Sequence, residues 1–126
     1  MDPQVYKALN EAVQKEFPGA KDIEIDADDD LYDVDGETAE GRDFDLDITP
    51  EGIIVERHLE VELSELPDNV QYLVQKELKE GGSLDGLMHC KDKEEKEYFE
   101  VEIDRDDNEL HLKISLKGEI LEREWD

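Results

Sequence analysis

The feature that most constrains this chain is a phrase that occurs twice. Asp43 to Arg57 reads DFDLDITPEGIIVER and Glu109 to Arg123 reads ELHLKISLKGEILER. Phe44, Leu46 and Ile48 answer to Leu110, Leu112 and Ile114, Gly52 answers to Gly118, and Ile54-Val55-Glu56-Arg57 answers to Ile120-Leu121-Glu122-Arg123. Each residue of the second run carries a number 66 higher than its counterpart. An alternating apolar run, a glycine turn and two aliphatics describe a strand, a tight turn and a second strand. The recurrence predicts two copies of one small unit. A chain of 126 residues has room for one ordinary domain or two half-length units, and units of that size are marginal alone, so a shared core or a joined sheet is expected.

The remaining elements fit around this phrase. Asp2-Pro3 supplies a helix N-cap and a first-turn proline, and Val5, Leu9, Ala12, Val13 and Phe17 form a stripe at helical spacing that Pro18-Gly19 ends. Ile23 and Ile25, then Tyr32 and Val34, alternate with acids on either side of an Asp28-Asp29-Asp30 turn, which predicts two strands. After Ser64 to Asn69 a second helix carries Val70, Leu73, Val74 and Leu78 and stops at Gly81-Gly82. Strands over Leu84 to Cys90, Phe99 to Ile103, Leu110 to Ile114 and Ile120-Leu121 follow. The expected fold class is α+β, as two tandem repeats of one helix followed by a four-stranded antiparallel sheet. Residues 1–63 and 64–126 form the repeats, packed as one globular unit.

A proline-led helix, Phe17-Pro18-Gly19-Ala20, Tyr32-Asp33-Val34 and the Gly118 to Glu124 ending resemble the PepSY-like family, whose tandem units are similar in fold to the beta-lactamase inhibitor protein. The resemblance implies a non-enzymatic binding or inhibitory module, usually exported, that uses an open sheet face. It implies no catalytic residues.

Charge narrows the partners. Lys and Arg total 14 against 39 Asp and Glu, a formal charge of −25, which excludes direct nucleic-acid and anionic-membrane binding and leaves basic proteins, cations or solvation. Between Asp22 and Asp47, 13 of 26 residues are acidic and Arg42 is the one base. With Phe44, Leu46 and Ile48 inward, Asp43, Asp45 and Asp47 point outward on one line; Asp22, Glu24 and Asp26 are expected to form another. The equivalent second-copy line, Glu109, His111, Lys113 and Ser115, is mixed. These acidic lines, with Tyr98 as an outward contact residue, are the expected partner-binding surface, for a protein with a basic patch. A nucleic-acid mimic is one alternative and a solubility or high-salt adaptation another.

Other chemistry finds little support. Asp26, Asp28, Asp30 and Glu37 have an EF-hand-like spacing, but Leu31 replaces the turn glycine, so they rank as weak Ca²⁺ candidates and no metal or other cofactor is assigned. His89 and Cys90 are adjacent on a strand and face opposite ways, His58 and His111 are isolated in sequence, and Cys90 reads as a buried apolar residue. No nucleophile-base order appears, so an enzyme is not expected. Trp125 reads as an anchor over the core edge, or else an interface anchor. Met1 to Asn10 has neither a basic nor an apolar signal region, which leaves the compartment open: periplasmic or secreted if a signal peptide was removed, otherwise cytoplasmic.

Overall fold

A computed structural model describes residues 1–126. Helix α1 spans Pro3–Glu16 and is followed by strands β1 (Lys21–Asp28), β2 (Leu31–Glu37), β3 (Asp43–Ile48) and β4 (Ile54–Glu60). A short 3-10 turn, Leu63–Glu65, leads to α2 (Asp68–Leu78) and strands β5 (Ser83–Lys91), β6 (Glu97–Arg105), β7 (Asn108–Ser115) and β8 (Ile120–Trp125). The strands form one eight-stranded antiparallel sheet in the order β1 to β8.

That order corrects the expectation of two tandem repeats, each a helix with its own four-stranded sheet. Four strands on their own leave unpaired N–H and C=O groups along both outer strands, whereas a ladder that runs on through β4 and β5 satisfies two of those edges. Side-chain alternation reports which face is buried but is blind to where a backbone ladder stops. By packing, Met1–Leu59 with Lys91–Glu95 make one compact unit, and Glu60–Cys90 with Lys96–Asp126 the other.

In the first unit the α1 stripe covers the sheet. Leu9, Val13 and Phe17 bury against Val34, Phe44, Leu46 and Ile48, with the Phe17 and Phe44 rings 4.6 Å apart. Asp2 caps the helix by accepting from the Gln4 N–H at 2.7 Å. Phe44 sits opposite Gly36, where a Cβ would meet the Phe44 ring and the Lys21 carbonyl, so the glycine makes room for the ring.

In the second unit Val70 and Val74 of α2 pack on Phe99, Val101, Ile103, Leu110, Leu112 and Ile114. The C-terminal turn of α2 is tied down by Arg105, which donates from Nη2 to the Glu77 carbonyl at 2.6 Å, from Nε to the Gly81 carbonyl at 2.9 Å, and from Nη1 to the Glu77 carboxylate at 3.1 Å. Arg123 grips the same carboxylate with two bonds of 3.0 Å. The guanidinium adds a charged donor to the Glu77 carbonyl, which also accepts from the Glu80 N–H, and supplies one to the Gly81 carbonyl just past the helix end. No helix is long and apolar enough to cross a membrane.

Candidate functional site

Strand alternation turns Val34, Phe44, Leu46 and Ile48 toward α1, so the intervening residues of β2 and β3 face away from the core. Register then stacks acids side by side. One row across the strands runs Glu24, Asp35, Asp45, His58, and the next runs Asp26, Asp33, Asp47, Glu56. Glu37 lies opposite Asp43. Directly opposed residues in an antiparallel pair lie about 4.5–5.5 Å apart, close enough for like charges to repel.

The electrostatics register this crowding. Burial, a hydrogen bond that the protonated carboxyl donates to Asp33, and the charges of Asp33, Asp47 and Asp35 push Asp45 up from 3.8 to about 8. Asp47 is raised by burial and by Asp33 and Glu56; Asp35 is raised by burial and by Asp33, Asp26 and Asp43. One oxygen of Asp33, Oδ1, is buried without a hydrogen bond. The ligand atoms of Asp33, Asp45 and Asp47 lie within 4.8 Å of one another. Beside the Asp47 end, Asp92, Lys93 and Glu94 line a concavity of about 290 Å³ with Leu31, Val55 and Glu56.

Asp43, Asp45 and Asp47 therefore share one outward line, Asp43 exposed and the other two half-buried. Glu24 and Asp26 join them on the same face, but Asp22 does not continue their line. It occupies a register irregularity with a left-handed φ of 54°, and its carboxyl faces Glu37. Tyr98 is only 8% exposed, with the Lys113 ammonium 5.2 Å from its ring centre, so its ring has little area left for a partner. The EF-hand-like residues are pulled apart. Asp28 pairs with Leu31 at the tip of the β1–β2 hairpin while Glu37 pairs with Lys21 at its far end, roughly 20 Å away at about 3.3 Å per residue.

Asp33, Asp35 and Glu56 belong to the face and were not among the expected site residues. Their signal was present, since Asp33 and Asp35 alternate with Tyr32 and Val34, but only the pairing of β2 between β1 and β3 shows that they occupy its middle. Cys90 is buried, as its composition-based reading expects, and His89 turns aside to Glu97 at 2.9 Å. Trp125 is 52% exposed and lies outside the core, with the Arg105 guanidinium 5.7 Å from its ring centre.

No family model matches the chain, and no curated protein matches it. The resemblance to the PepSY-like family is thus not shown. Solved structures do match. A BLIP-like protein from Bacteroides fragilis is 18% identical, with a TM-score of 0.75 over 94% of this chain and 84% of that one. A protein from Bacteroides eggerthii, provisionally described as periplasmic, is 19% identical, with a TM-score of 0.80 over 94% and 86%. A DUF2874 family protein from Bacteroides uniformis is 16% identical, with a TM-score of 0.78 over 94% and 87%. At these identities the likeness is one of fold, and the chain has a BLIP-like fold.

Proposed function

We propose that this protein is a non-catalytic, inhibitor-like binding module that presents the carboxylate face of β1 to β4 to a partner with a basic surface. The observation that carries the reading is the two cross-strand rows of acids centred on Asp45. Opposed like charges cost a sheet tenths of a kcal/mol to about 1 kcal/mol per pair. A surface that bears this cost at several adjacent positions is most simply explained by a cationic partner that removes it. The BLIP-like neighbour from Bacteroides fragilis supports a module of the inhibitor type, and the Bacteroides eggerthii neighbour supports a periplasmic or secreted setting.

The test uses defined probes: a panel of basic exported proteins and an oligolysine peptide, titrated at 20 and 300 mM NaCl against wild type and the Asp43→Asn, Asp45→Asn, Asp47→Asn triple variant. A protein probe that binds wild type more tightly at low salt, and at least tenfold more weakly in the folded triple variant, supports the reading. Equal affinity for both proteins overturns it. Displacement of that probe by duplex DNA in proportion to its phosphate would move the assignment to nucleic-acid mimicry.

A further inference from the structure

The outward face of the second unit gathers a different set of side chains. Glu102 on β6 pairs directly with His111 on β7. Glu109 stands two residues before His111 on the same face, and it exchanges backbone hydrogen bonds of 2.9 and 3.3 Å with Asp126. Around the imidazole, Glu102 Oε1 lies 3.7 Å from Nδ1, Glu109 Oε1 lies 3.3 Å from Nε2, and Asp126 Oδ2 lies 3.6 Å from Nε2. Ligand atoms of Glu102, Glu109 and His111 are all within 4.8 Å of one another. The group borders a depression of about 400 Å³.

Two observations separate this cluster from ordinary surface acidity. The first is His111 itself, a nitrogen ligand among carboxylates. The second is its Nε2: the side chain is 38% exposed, yet this atom is buried and makes no hydrogen bond, although two carboxylate oxygens stand over it. Its contacts of 3.3 and 3.6 Å exceed the usual N–H···O range of about 2.7–3.2 Å. They fall close to the edge of a tetrahedron around an ion with bonds of about 2.0–2.1 Å, which is roughly 3.3–3.5 Å. From this geometry we propose that His111 through Nε2, Glu109 and Asp126 coordinate a divalent first-row transition-metal ion of the Zn²⁺ class, with a fourth position left to solvent, while Glu102 on the Nδ1 side of the ring orients the imidazole. Ca²⁺ and Mg²⁺ take oxygen shells and gain little from imidazole, so the histidine sets the selectivity. The site lies in the second unit and stands or falls separately from the acidic face of the first.

The experiment is a Zn²⁺ titration of the full chain by competition with a chromophoric chelator in 5 mM CaCl2, repeated with Co²⁺ to read the d–d absorption. Expected are one equivalent of Zn²⁺ retained against Ca²⁺, a tetrahedral Co²⁺ spectrum, and at least a tenfold loss of affinity in His111→Gln and in Glu109→Gln. His58→Gln and the Asp43/Asp45/Asp47→Asn triple variant should bind as wild type does. Absence of binding, unchanged affinity in folded His111→Gln, or full displacement by CaCl2 overturns the proposal; the last two would mean diffuse association with carboxylates.

Discussion

Asp45 hydrogen-bonds Asp33, which sits diagonally from it across the β2–β3 pair, a contact that two carboxyl groups make by holding a proton between them. The fold therefore keeps on Asp45 a proton that the unfolded chain releases near 3.8, and gives it up only near 8. Stability contributed by this proton is present below about 4 and lost as the pH rises through 8, and Asp35 and Asp47 are shifted in the same direction. Asp45→Asn keeps a donor toward Asp33 without the charge. It should be about 1 kcal/mol more stable than wild type at pH 8.5, and the gain should shrink at pH 5. Urea melts at the two pH values measure both numbers, and an equal gain at both would show that Asp45 carries no such proton.

Salt should act on the same surface. With a formal charge of −25, repulsion in the folded state is screened as the Debye length falls from about 30 Å at 0.01 M to 10 Å at 0.1 M. The melting temperature should rise by several degrees over that range at pH 7.5. Removing charge at Asp43, Asp45 and Asp47 together should flatten the dependence. Calorimetry at matched pH checks both, and an unaltered slope in the triple variant would mean that the repulsion is spread over the whole surface.

How far these features were legible depends on whether they are recorded along the strand or across it. The apolar stripes of α1 and α2, the inward Phe44, Leu46 and Ile48, and the buried Cys90 follow from spacing and composition and appear where expected. The joined sheet, the central place of Asp33 and Asp35, and the convergence of Glu102, Glu109, His111 and Asp126 depend on register between strands. Some of that register was recoverable, since a tight turn at Asp106-Asp107 forces Glu102 opposite His111. Tyr98 shows the limit in the other direction: alternation places it outward, but it is buried all the same.

Glu77 and its two arginines make a separate prediction. Glu77 and Arg105 are each 12% exposed, so removing one partner leaves a charge poorly solvated. Hydrogen bonds from Arg123 lead the causes that hold the Glu77 carboxyl below its ordinary 4.5, so this network contributes stability above that value and loses it as the pH falls through the lowered one. Arg105→Met should cost about 2 kcal/mol, because Arg123 still neutralises Glu77 while the Glu77 and Gly81 carbonyls lose their guanidinium donors. Arg105→Lys should recover only part of this, since an ammonium cannot reach all three acceptors at once. Chemical denaturation orders the three proteins, and equal stability of the lysine variant and wild type would reduce Arg105 to a simple counter-charge.

The close approach at Gly36 gives the most local prediction. Gly36 lies in a strand and has no left-handed backbone, so alanine is conformationally allowed and would restrict the unfolded chain, a gain of about 0.5–1 kcal/mol. Its Cβ, however, would lie 2.9 Å from the Lys21 carbonyl oxygen and 3.0 Å from Cζ of Phe44. Phe44 is 2% exposed and packed on Phe17 at 4.6 Å, so its ring cannot retreat freely, and the carbonyl belongs to the paired β1 backbone. Overpacking of this kind costs about 1–3 kcal/mol, which outweighs the entropic gain. Gly36→Ala should therefore destabilise the protein by about 1–2 kcal/mol. Combined with Phe44→Leu it should cost less than the two single variants summed, because the smaller side chain vacates the ring's position. Additive costs in that double-mutant cycle would place the strain on the Lys21 carbonyl alone.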